Sequence, residues 1–443
     1  MSCVIVVGAQ WGDEGKGKIV DIYTEHADFV VRPAGGANAG HTLVVGDEKT
    51  ILRLLPSGIL RENTRCVLAQ GMVVDPAVLV AEMSQLTRQG VQRVESRVAL
   101  SARAHLVLSY HQQIDALRET AAQARAIGTT KKGIGPALED KVRRTGVLAG
   151  DLRDLRRLRD RIEGSPLHWR PSLAALGASA PSVDEIIAEL EPLRARLVPL
   201  LTDTSRLVND ALAAGKKVLL EGAQGTLLDI DHGTYPFVTS SSPVASGAAV
   251  GAGLGPTRIT CVLGISKAYA TRVGAGPFPT ELPEPEGTRL REAGAEFGSV
   301  TGRPRRTGWF DLPGFKYAAR VNGLDGFALT KLDVLTGMGS LRVCVAYDTP
   351  EGRTEELPME AINDDPSSVK PVYEELPGWS EPLREARKLS ELPRAAYEYV
   401  RFIEERSRVP LYLLSVGARR LETIVLKDPF IRPSPADPDV RWP

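Results

Sequence analysis

Near its start the sequence has a glycine-rich loop between a short apolar segment and a helical pattern. Residues 3–7 (CVIVV) are rich in valine, as is typical of a buried strand, and residues 18–26 (KIVDIYTEH) are typical of a helix. The loop between them carries Gly8, Gly12, Gly15 and Gly17. Because glycine lets backbone N–H groups approach phosphate oxygens and a helix N-terminus adds positive charge, the loop is predicted to bind phosphate, with Lys16 reaching the terminal groups.

The loop differs from the Walker A pattern. In that pattern a Ser or Thr follows the lysine and its hydroxyl binds magnesium, whereas here Gly17 follows Lys16. Another group must hold the metal, and Asp13 is the obvious candidate, because a carboxylate among phosphate-binding amides would otherwise repel a nucleotide. The alternative is a glycine-rich surface loop, since such motifs also occur by chance.

Composition excludes several classes of function. The 443 residues carry 55 basic and 55 acidic side chains, which argues against non-specific nucleic-acid binding. We find no apolar stretch long enough to span a bilayer and no signal-peptide pattern. The histidines show no metal-ligand spacing, and the isolated cysteines fit reduced core thiols: Cys3, Cys66, Cys261 and Cys344. We therefore expect a cytoplasmic protein without nucleic-acid or membrane partners.

Short apolar segments alternate with helical patterns along the chain. The segments are residues 4–7, 29–32, 66–69, 217–220, 259–263, 326–330, 342–347 and 411–415. The alternation predicts an α/β fold with a mainly parallel central sheet flanked by helices, similar to P-loop GTPases, with long functional loops. In such sheets ligands bind beyond the carboxyl ends of the strands, where the motifs of this chain follow the apolar segments.

Two longer segments, residues 105–125 and 182–214, have helical patterns. The second opens with a capping box at Ser182, and Pro192 and Pro199 must kink or break it. We find no repeat and no Gly/Ser or Pro linker. We therefore expect a single large α/β domain over residues 1–443, with a peripheral helical insertion at about 100–214.

Two motifs together resemble one enzyme family. GDEGKGK at residues 12–18, followed by NAGHT at 38–42, is similar to the adenylosuccinate synthetases, and the resemblance covers essentially the whole chain. It implies a GTP-hydrolysing ligase that joins L-aspartate to inosine monophosphate (IMP) through a phosphorylated IMP intermediate. The products are adenylosuccinate, GDP and phosphate, in the first committed step of AMP synthesis. A homodimer with one Mg²⁺ per subunit is also implied.

The resemblance assigns roles to residues of this chain. Asp13 removes a proton from the purine, Lys16 and His41 act on the transferring phosphate, Gln224 orients the purine, and Asp13 with the Gly40 carbonyl holds Mg²⁺. The implied GTP contacts are Gly12, Asp13, Glu14, Gly15, Lys16, Gly17, Gly40, His41, Thr42, Arg305, Lys331, Asp333, Ser415, Val416 and Gly417. The implied IMP and aspartate contacts are Asp13, Asn38, Thr130, Arg144, Gln224, Thr239, Ser299, Val300, Thr301 and Arg303.

The motif TKLD at residues 330–333 indicates which base the nucleotide carries. Asp333 can accept two hydrogen bonds from guanine, whereas adenine offers neither donor, and the stem of Lys331 would lie over the base. The alternative is a strand that ends in a solvated turn. With a phosphate loop in the same chain, the motif favours GTP over ATP.

Two further segments are rich in groups that bind polar ligands. Residues 221–241 contain Gln224, whose amide suits a purine edge, and Thr239, whose hydroxyl suits a phosphate. Residues 300–309 place Arg303, Arg305 and Arg306 on one loop, and arginine binds carboxylates in a bidentate manner. In the resembling family these segments bind IMP and aspartate.

Residues 127–146 depart from the family pattern. Lys131 and Lys132 stand where Gly-Arg is expected, which keeps charge but loses bidentate geometry and backbone freedom. Thr130 is still expected to contact the monophosphate, and Arg144 to reach the partner's IMP site in a homodimer.

Three alternatives remain beside the synthetase. One is a relative that acts on a guanine monophosphate, which retention of Asp13 disfavours. Another is a GTPase switch, which would have no use for the arginine loop. The third is a binding protein without catalysis, which the presence of Asp13, Lys16 and His41 disfavours. We also expect that the functional loops become ordered when ligands bind.

Overall fold

The computed structural model describes residues 2–38, 40–45, 48–123, 127–164, 169–298 and 302–431, with the backbone alone for the strand residues within 41–50. In chain order its strands are β1 (Ser2–Gly8), β2 (Phe29–Arg32), β3 (His41–Val45), β4 (Glu48–Leu52), β5 (Arg65–Leu68), β6 (Val73–Val74), β7 (Val98–Ser101), β8 (His105–Leu106), β9 (Leu201–Thr202), β10 (Lys217–Glu221), β11 (Cys261–Lys267), β12 (Ala270–Arg272), β13 (Arg306–Gly308), β14 (Phe310–Asp311), β15 (Gly326–Thr330), β16 (Leu341–Thr349), β17 (Gly352–Thr354), β18 (Lys370–Leu376), β19 (Leu411–Ser415) and β20 (Thr423–Val425).

The helices cover both faces of the sheet. They are α1 (Lys16–Thr24), α2 (Pro76–Arg88), α3 (Val94–Arg97), α4 (Ser109–Ala121), α5 (Ile134–Arg143), α6 (Leu155–Gly164), α7 (Trp169–Ala175), α8 (Val183–Leu197), α9 (Thr204–Ala213), α10 (Ala245–Ala252), α11 (Glu286–Ala293), α12 (Leu312–Asn322), α13 (Met359–Asp364) and α14 (Arg394–Ser407).

A ten-stranded sheet in the order β20-β19-β15-β11-β1-β10-β2-β5-β7-β9 forms the centre of the fold. All neighbours pair in parallel except β20, which is antiparallel to β19. Alternate residues of β1 enter different cores: Ile5 packs in the cluster that includes α9 and α10, and Val6 packs in the cluster that includes α1. The mainly parallel sheet flanked by helices confirms the predicted fold class.

Six predicted strands match strands of this sheet within a residue or two. The strand predicted at 259–263 begins at Cys261 and extends to Lys267 as β11. The edge strands β9 and β20 and the strand β7 next to β9 were not predicted; they are two to four residues long.

The segment predicted at residues 342–347 is a strand, but it does not join the central sheet. As β16 it pairs antiparallel with β17 and β18 and parallel with β14, in a separate sheet. Antiparallel partners reached by short connections lie close in sequence, which makes this local pairing available to β16 without a crossover helix.

The two long helical predictions need corrections at their ends. The first begins at Ser109 instead of residue 105, because His105–Leu106 forms β8. In the second, the predicted capping box is present, since Ser182 Oγ accepts from Glu185 N at 3.2 Å. Helix α8 continues through Pro192 and ends before Pro199, and α9 starts at Thr204.

In the part of the chain that is described, no helix has both the length and the apolar character needed to cross a membrane. The carboxyl ends of the parallel strands β1, β2, β10, β15 and β19 lie along one edge of the central sheet. The loops that leave this edge carry Asp13, Asn38, Gln224, Lys331 and Gly417 among the predicted site residues.

Candidate active site

The loop between β1 and α1 has the backbone of a ligand-binding turn. Gly12 has φ 84° and Gly15 has φ 87° at the N-cap of α1, so both use the left-handed region that favours glycine. Asp13 between them also has a positive φ of 57°. Its side chain is 41% exposed. The turn therefore presents a carboxylate beside the N-terminus of a helix.

Glu14 holds this loop from inside. Its carboxylate is 0% exposed and accepts hydrogen bonds from Gly12 N at 2.9 Å and from Gln10 N at 3.1 Å. Lys16 Nζ donates to it at 2.5 Å and also donates to the Gln224 carbonyl oxygen. The carboxylate of Glu14 thus faces the protein, so a GTP contact predicted for Glu14 can come only from its backbone.

The segment after β10 packs directly against the phosphate loop. A Cβ at Gly8 would lie 2.5 Å from the Gln224 carbonyl oxygen, and one at Gly225 would lie 2.3 Å from the Gln10 carbonyl oxygen. Thr226 Oγ1 donates to the Gly8 carbonyl oxygen at 2.7 Å. Only glycine allows backbones to approach this closely. The predicted base and the predicted purine-orienting glutamine are therefore held next to each other.

Two amide side chains of this region have buried atoms that lack partners. Both the Nε2 and Oε1 atoms of Gln224 are buried with no hydrogen-bond partner among the described residues, and the same holds for Oδ1 of Asn38. Gln224 has a φ of 59°, which is uncommon outside glycine. Because a buried unpaired amide costs stability, these atoms are available to a partner other than the described residues. Of the nearby His41 and Thr42 only the backbone, in β3, is described.

Arg305 joins the predicted base to a second carboxylate. Its Nε donates to Asp13 Oδ2 at 2.8 Å and its Nη1 donates to Glu296 Oε2 at 2.6 Å. Although burial opposes it, the neighbouring carboxylates of Asp13 and Glu296 raise the pKa of Arg305. The arginine loop is divided, because Arg306 instead donates to Glu281 Oε1 at 2.7 Å. Arg303 is exposed, and Ser299, Val300 and Thr301 lie outside the described residues.

The guanine motif lies at the end of β15. Lys331 has φ 58°, and its Nζ donates to Glu296 Oε1 at 2.7 Å and to the Gly294 carbonyl oxygen at 2.8 Å. Burial raises the pKa of Asp333, which the positive charges of Arg384, Lys18 and Lys331 partly offset. The carboxylate is half-buried, as a base-binding group should be.

Lys18 connects α1 to the loop that follows β19. Its Nζ donates to Ser415 Oγ at 2.7 Å and to the carbonyl oxygens of Gly417 at 2.8 Å and Glu422 at 3.0 Å. Burial lowers the pKa of Lys18 to about 8, although Asp333 and Glu422 act in the opposite direction. Ser415, Val416 and Gly417 are therefore held in place by α1.

Two carboxylates of α4 hold the loop with the unusual lysines. Asp115 accepts from Thr129 Oγ1 at 3.0 Å and from Gly133 N at 2.9 Å. Glu119 accepts from Gly128 N at 2.8 Å. Lys131 is exposed at φ 55° and Thr130 is exposed beside it. The side chains of Thr130 and Lys131 are thus accessible to solvent on a loop that α4 holds in place.

The loop lies against the segment that carries Thr239. A Cβ at Gly135, in the first turn of α5, would lie 3.2 Å from Ser240 Oγ. The other end of α5 carries Arg144, which is exposed at φ 72°. The predicted phosphate contacts, Thr130 and Thr239, therefore come from two segments that touch each other, whereas Arg144 lies at the far end of α5.

Comparison with known families shows which family this chain belongs to. The family model described as adenylosuccinate synthetase matches residues 5–424. The chain belongs to the adenylosuccinate synthetase family. Every site segment described above lies within this match.

Individual relatives agree with the family match. The adenylosuccinate synthetase of Sorangium cellulosum is 61% identical over 431 residues, covering 97% of this chain and 100% of the relative. That of Myxococcus xanthus is 52% identical, with 97% and 100% covered. A fully ligated adenylosuccinate synthetase from Plasmodium falciparum is 38% identical, with a TM-score of 0.89 and 96% and 99% covered.

A more distant structure shares only the fold. The succinoaminodeoxyadenylate synthetase of cyanophage S-2L, bound to dGMP and dATP, is 22% identical, with a TM-score of 0.61 and 96% and 95% covered. Membership of the adenylosuccinate synthetase family therefore identifies the chain as a GTP-dependent ligase of purine biosynthesis, as the sequence predicted.

Three charged residues that connect the predicted site residues are not indicated by the sequence motifs. No role was predicted for Glu296, Lys267 or Lys18. Lys18 is nevertheless the last residue of the GDEGKGK motif. A signal existed for Lys267, because a charged residue ends an otherwise apolar and small-residue strand. We see no comparable local signal for Glu296.

Proposed function

We propose that Asp13 is the base of this ligase and that Gln224 and Asn38 bind the purine of IMP. The supporting observation is that the two residues lie close together. Asp13, whose carboxylate accepts from Arg305 Nε at 2.8 Å, lies in the loop that packs against the backbone of Gln224, and the side-chain amide of Gln224 has no hydrogen-bond partner among the described residues. A base must be held within reach of the proton it removes. The amide next to it supplies both a donor and an acceptor for a purine edge.

The chemistry follows in two steps. Asp13 takes the proton from the purine ring nitrogen beside the carbonyl, and the carbonyl oxygen attacks the γ-phosphorus of GTP. A C–O–P linkage forms and the bond to GDP breaks. The amine of aspartate then attacks the purine carbon that bears this oxygen. A C–N bond forms, the C–O bond breaks, and phosphate leaves while the amine loses a proton. The backbone N–H groups of the loop and Lys16 stabilise charge on the transferring group, and His41 is proposed as the acid.

The residues present fit a magnesium ion. Mg²⁺ prefers oxygen ligands and is commonly bound by one or two carboxylates together with substrate phosphates. Asp13 offers a half-exposed carboxylate and Gly40 a backbone carbonyl, and the described residues contain no group of three or more His, Cys, Asp or Glu that could hold a metal alone. When bound, Mg²⁺ would neutralise charge on the phosphates of GTP.

For the remaining substrate groups we propose the contacts that the family pattern implies. Asp333 and Lys331 bind the guanine of GTP, with the backbone of residues 415–417 beside it. Thr130 and Thr239 bind the phosphate of IMP. Arg303 and the undescribed residues 299–301 bind aspartate.

We also propose a homodimer in which Arg144 of the partner subunit reaches the IMP phosphate. Arg144 is exposed at the C-terminal end of α5, so its side chain is accessible to a second subunit. Four buried free cysteines support a cytoplasmic location.

We propose a single α/β domain, since β9, within the helical insertion, completes the central sheet.

Phosphate release tests the reaction. Purified protein with Mg²⁺ and GTP should release phosphate only when IMP and aspartate are both present, and ATP should not replace GTP. Asp13→Asn should lower kcat by roughly 10²- to 10⁴-fold, because it removes the base. Asp21→Asn on α1 is the matched control, since Asp21 pairs with Arg61 and Arg420 at the surface. A kcat of Asp13→Asn equal to that of the control would refute the role of Asp13.

Mixing variants tests the dimer. Asp13→Asn and Arg144→Ala should each be inactive alone, because every site of either homodimer lacks one essential group. After mixing and subunit exchange, a heterodimer contains one intact site, so activity should reappear. Mixtures that stay inactive although light scattering shows exchange of subunits would contradict a role for Arg144 across the interface.

A further inference from the structure

A single buried carboxylate lies between the guanine motif and the arginine that holds Asp13. Glu296 is 0% exposed. Its Oε1 accepts from Lys331 Nζ at 2.7 Å and its Oε2 accepts from Arg305 Nη1 at 2.6 Å, while Arg305 Nε donates to Asp13 at 2.8 Å. Glu296 is shielded from solvent, so it contacts neither substrate, yet it bonds to both ends of the site.

Two more donors complete the surroundings of this carboxylate. Lys267 Nζ donates to Oε1 at 2.9 Å and Tyr269 Oη donates to the same oxygen at 2.6 Å. Lys267 is itself 0% exposed and donates also to Thr271 Oγ1 at 2.6 Å. A fully buried ammonium needs an anion beside it. Glu296 therefore has a structural partner in Lys267 and two functional partners in Lys331 and Arg305.

We propose that Glu296 is a positioning residue that couples the guanine-binding lysine to the arginine that orients Asp13. The inference rests on the roles proposed above for Lys331, Arg305 and Asp13. The guanidinium of Arg305 is a rigid planar fork, so fixing Nη1 on Glu296 fixes the direction from which Nε reaches Asp13. Likewise, the Lys331 ammonium is anchored between Glu296 and the Gly294 carbonyl oxygen, which leaves its stem in one place beside the base.

The backbone strengthens this connection. Arg305 N donates to the Glu296 carbonyl oxygen at 2.9 Å, and Phe297 and Pro304 form an isolated antiparallel bridge. A displacement of Glu296 is thus transmitted to Arg305 by two routes. Removal of the carboxylate charge should therefore change GTP binding and the chemical step together.

Glu296→Gln tests the inference, because it keeps the size of the side chain and removes its charge. We expect kcat to fall roughly 10- to 100-fold and the KM for GTP to rise, with saturating IMP and aspartate, since small displacements of reacting groups have effects of this size. The matched control is Glu292→Gln, an exposed glutamate of α11, which should leave both constants within about twofold of the wild type.

A second variant separates positioning from folding. Glu296→Gln leaves Lys267 buried without its anion and should lower the melting temperature. The double variant Glu296→Gln with Lys267→Met removes that buried charge, so it should recover the melting temperature but not kcat or the KM for GTP. Assays are made well below every melting temperature.

Each outcome is decisive. A double variant that recovers kcat together with the melting temperature would show that Glu296 is only structural. A Glu296→Gln variant with wild-type constants would overturn the inference alone. A wild-type chain that releases no phosphate from GTP with IMP and aspartate would overturn the proposed function and the inference with it.

Discussion

The proposed site has two ends that differ in how their buried polar groups are paired. The guanine end lies around Glu296 and Lys331, and the IMP end lies around Gln224 and Asn38. At the guanine end, Glu296 accepts four hydrogen bonds, and Lys331 and Lys18 are each anchored on two or more oxygens. At the IMP end, both amide atoms of Gln224 and the amide oxygen of Asn38 are buried without partners in the described structure.

This difference indicates which part of the proposed site has its hydrogen bonds formed before substrates bind. A buried amide without a partner costs about 1–3 kcal/mol per group, and a ligand that supplies the partner recovers that energy on binding. At the guanine end the buried polar groups are already paired, so little free energy of this kind is recovered on binding. Its specificity therefore depends on preformed geometry. The IMP end should instead gain affinity from groups that are unsatisfied in the free protein.

Gln224→Met should separate activity from stability. Methionine has a similar shape and no amide. The side chain of Gln224 has no hydrogen-bond partner among the described residues, so the melting temperature should not fall. The KM for IMP should rise and kcat/KM for IMP should fall by roughly 10²-fold, because the substrate then meets an apolar group. Thermal unfolding and steady-state kinetics check both statements.

Gln10→Met is the matched control for that variant. The amide of Gln10 is buried and fully used: Nε2 donates to the Tyr269 carbonyl oxygen at 3.2 Å and Oε1 accepts from Lys267 N at 3.1 Å. This exchange should lower the melting temperature. If Gln224→Met destabilised the protein as much as Gln10→Met, the contrast between the two ends would be wrong.

The sequence predicts the parts of this molecule that are encoded locally. The strand, glycine loop and helix around Asp13, the TKLD turn and the capping box at Ser182 are each written in fewer than twenty residues, and each is found in the structure. Glu296 could not be found in this way. Its partners Lys267 and Lys331 lie 29 and 35 residues away and meet it only because β11 and β15 are neighbours in the sheet.

The same limit explains the error for β16. Its apolar pattern identifies a strand, but which sheet it joins depends on β17 and β18, whose patterns are weak. Periodicity reports burial along one segment and contains no information about its neighbours.

A second buried carboxylate, Asp311, sharpens the contrast with Glu296. Burial opposes ionisation of both, but Lys267, Lys331 and Arg305 hold the pKa of Glu296 well below its usual range. Among the described residues the donors to Asp311 are neutral: Gly314 N at 2.9 Å and Tyr347 Oη at 2.7 Å. Burial raises the pKa of Asp311 from 3.8 to about 6, against the smaller effect of these hydrogen bonds.

Asp311→Asn should therefore stabilise the protein at neutral pH. Because the pKa of Asp311 is higher in the folded chain, the stability it contributes is fully present below about pH 3.8 and is lost as the pH rises through about 6. The variant does not titrate, so near pH 7 it should be more stable by on the order of 2 kcal/mol, a gain that shrinks towards pH 4. Melting temperatures from pH 4 to 7.5 measure this trend.

Asp203→Asn provides the control for Asp311. Asp203 caps α9 by accepting from Arg206 N at 3.0 Å, but it is exposed. Since Asn and Asp are about equally good N-caps, the exchange should change stability little at any pH. A gain in Asp311→Asn that did not depend on pH would contradict a role for the buried charge.

The smallest effect concerns Lys131, in the loop at the IMP end. At φ 55° its backbone lies in the left-handed region, where a residue other than glycine costs roughly 1 kcal/mol. Lys131→Gly should therefore be more stable than Lys131→Ala by about that amount, although glycine usually destabilises a folded chain. At Lys132, which does not have a positive φ, the order should reverse. Both pairs remove one charge, so the comparison of their melting temperatures isolates the backbone. If glycine were worse than alanine at both positions, the lysine at 131 would be carrying no backbone strain, and the departure from the family pattern would have to be explained by charge alone.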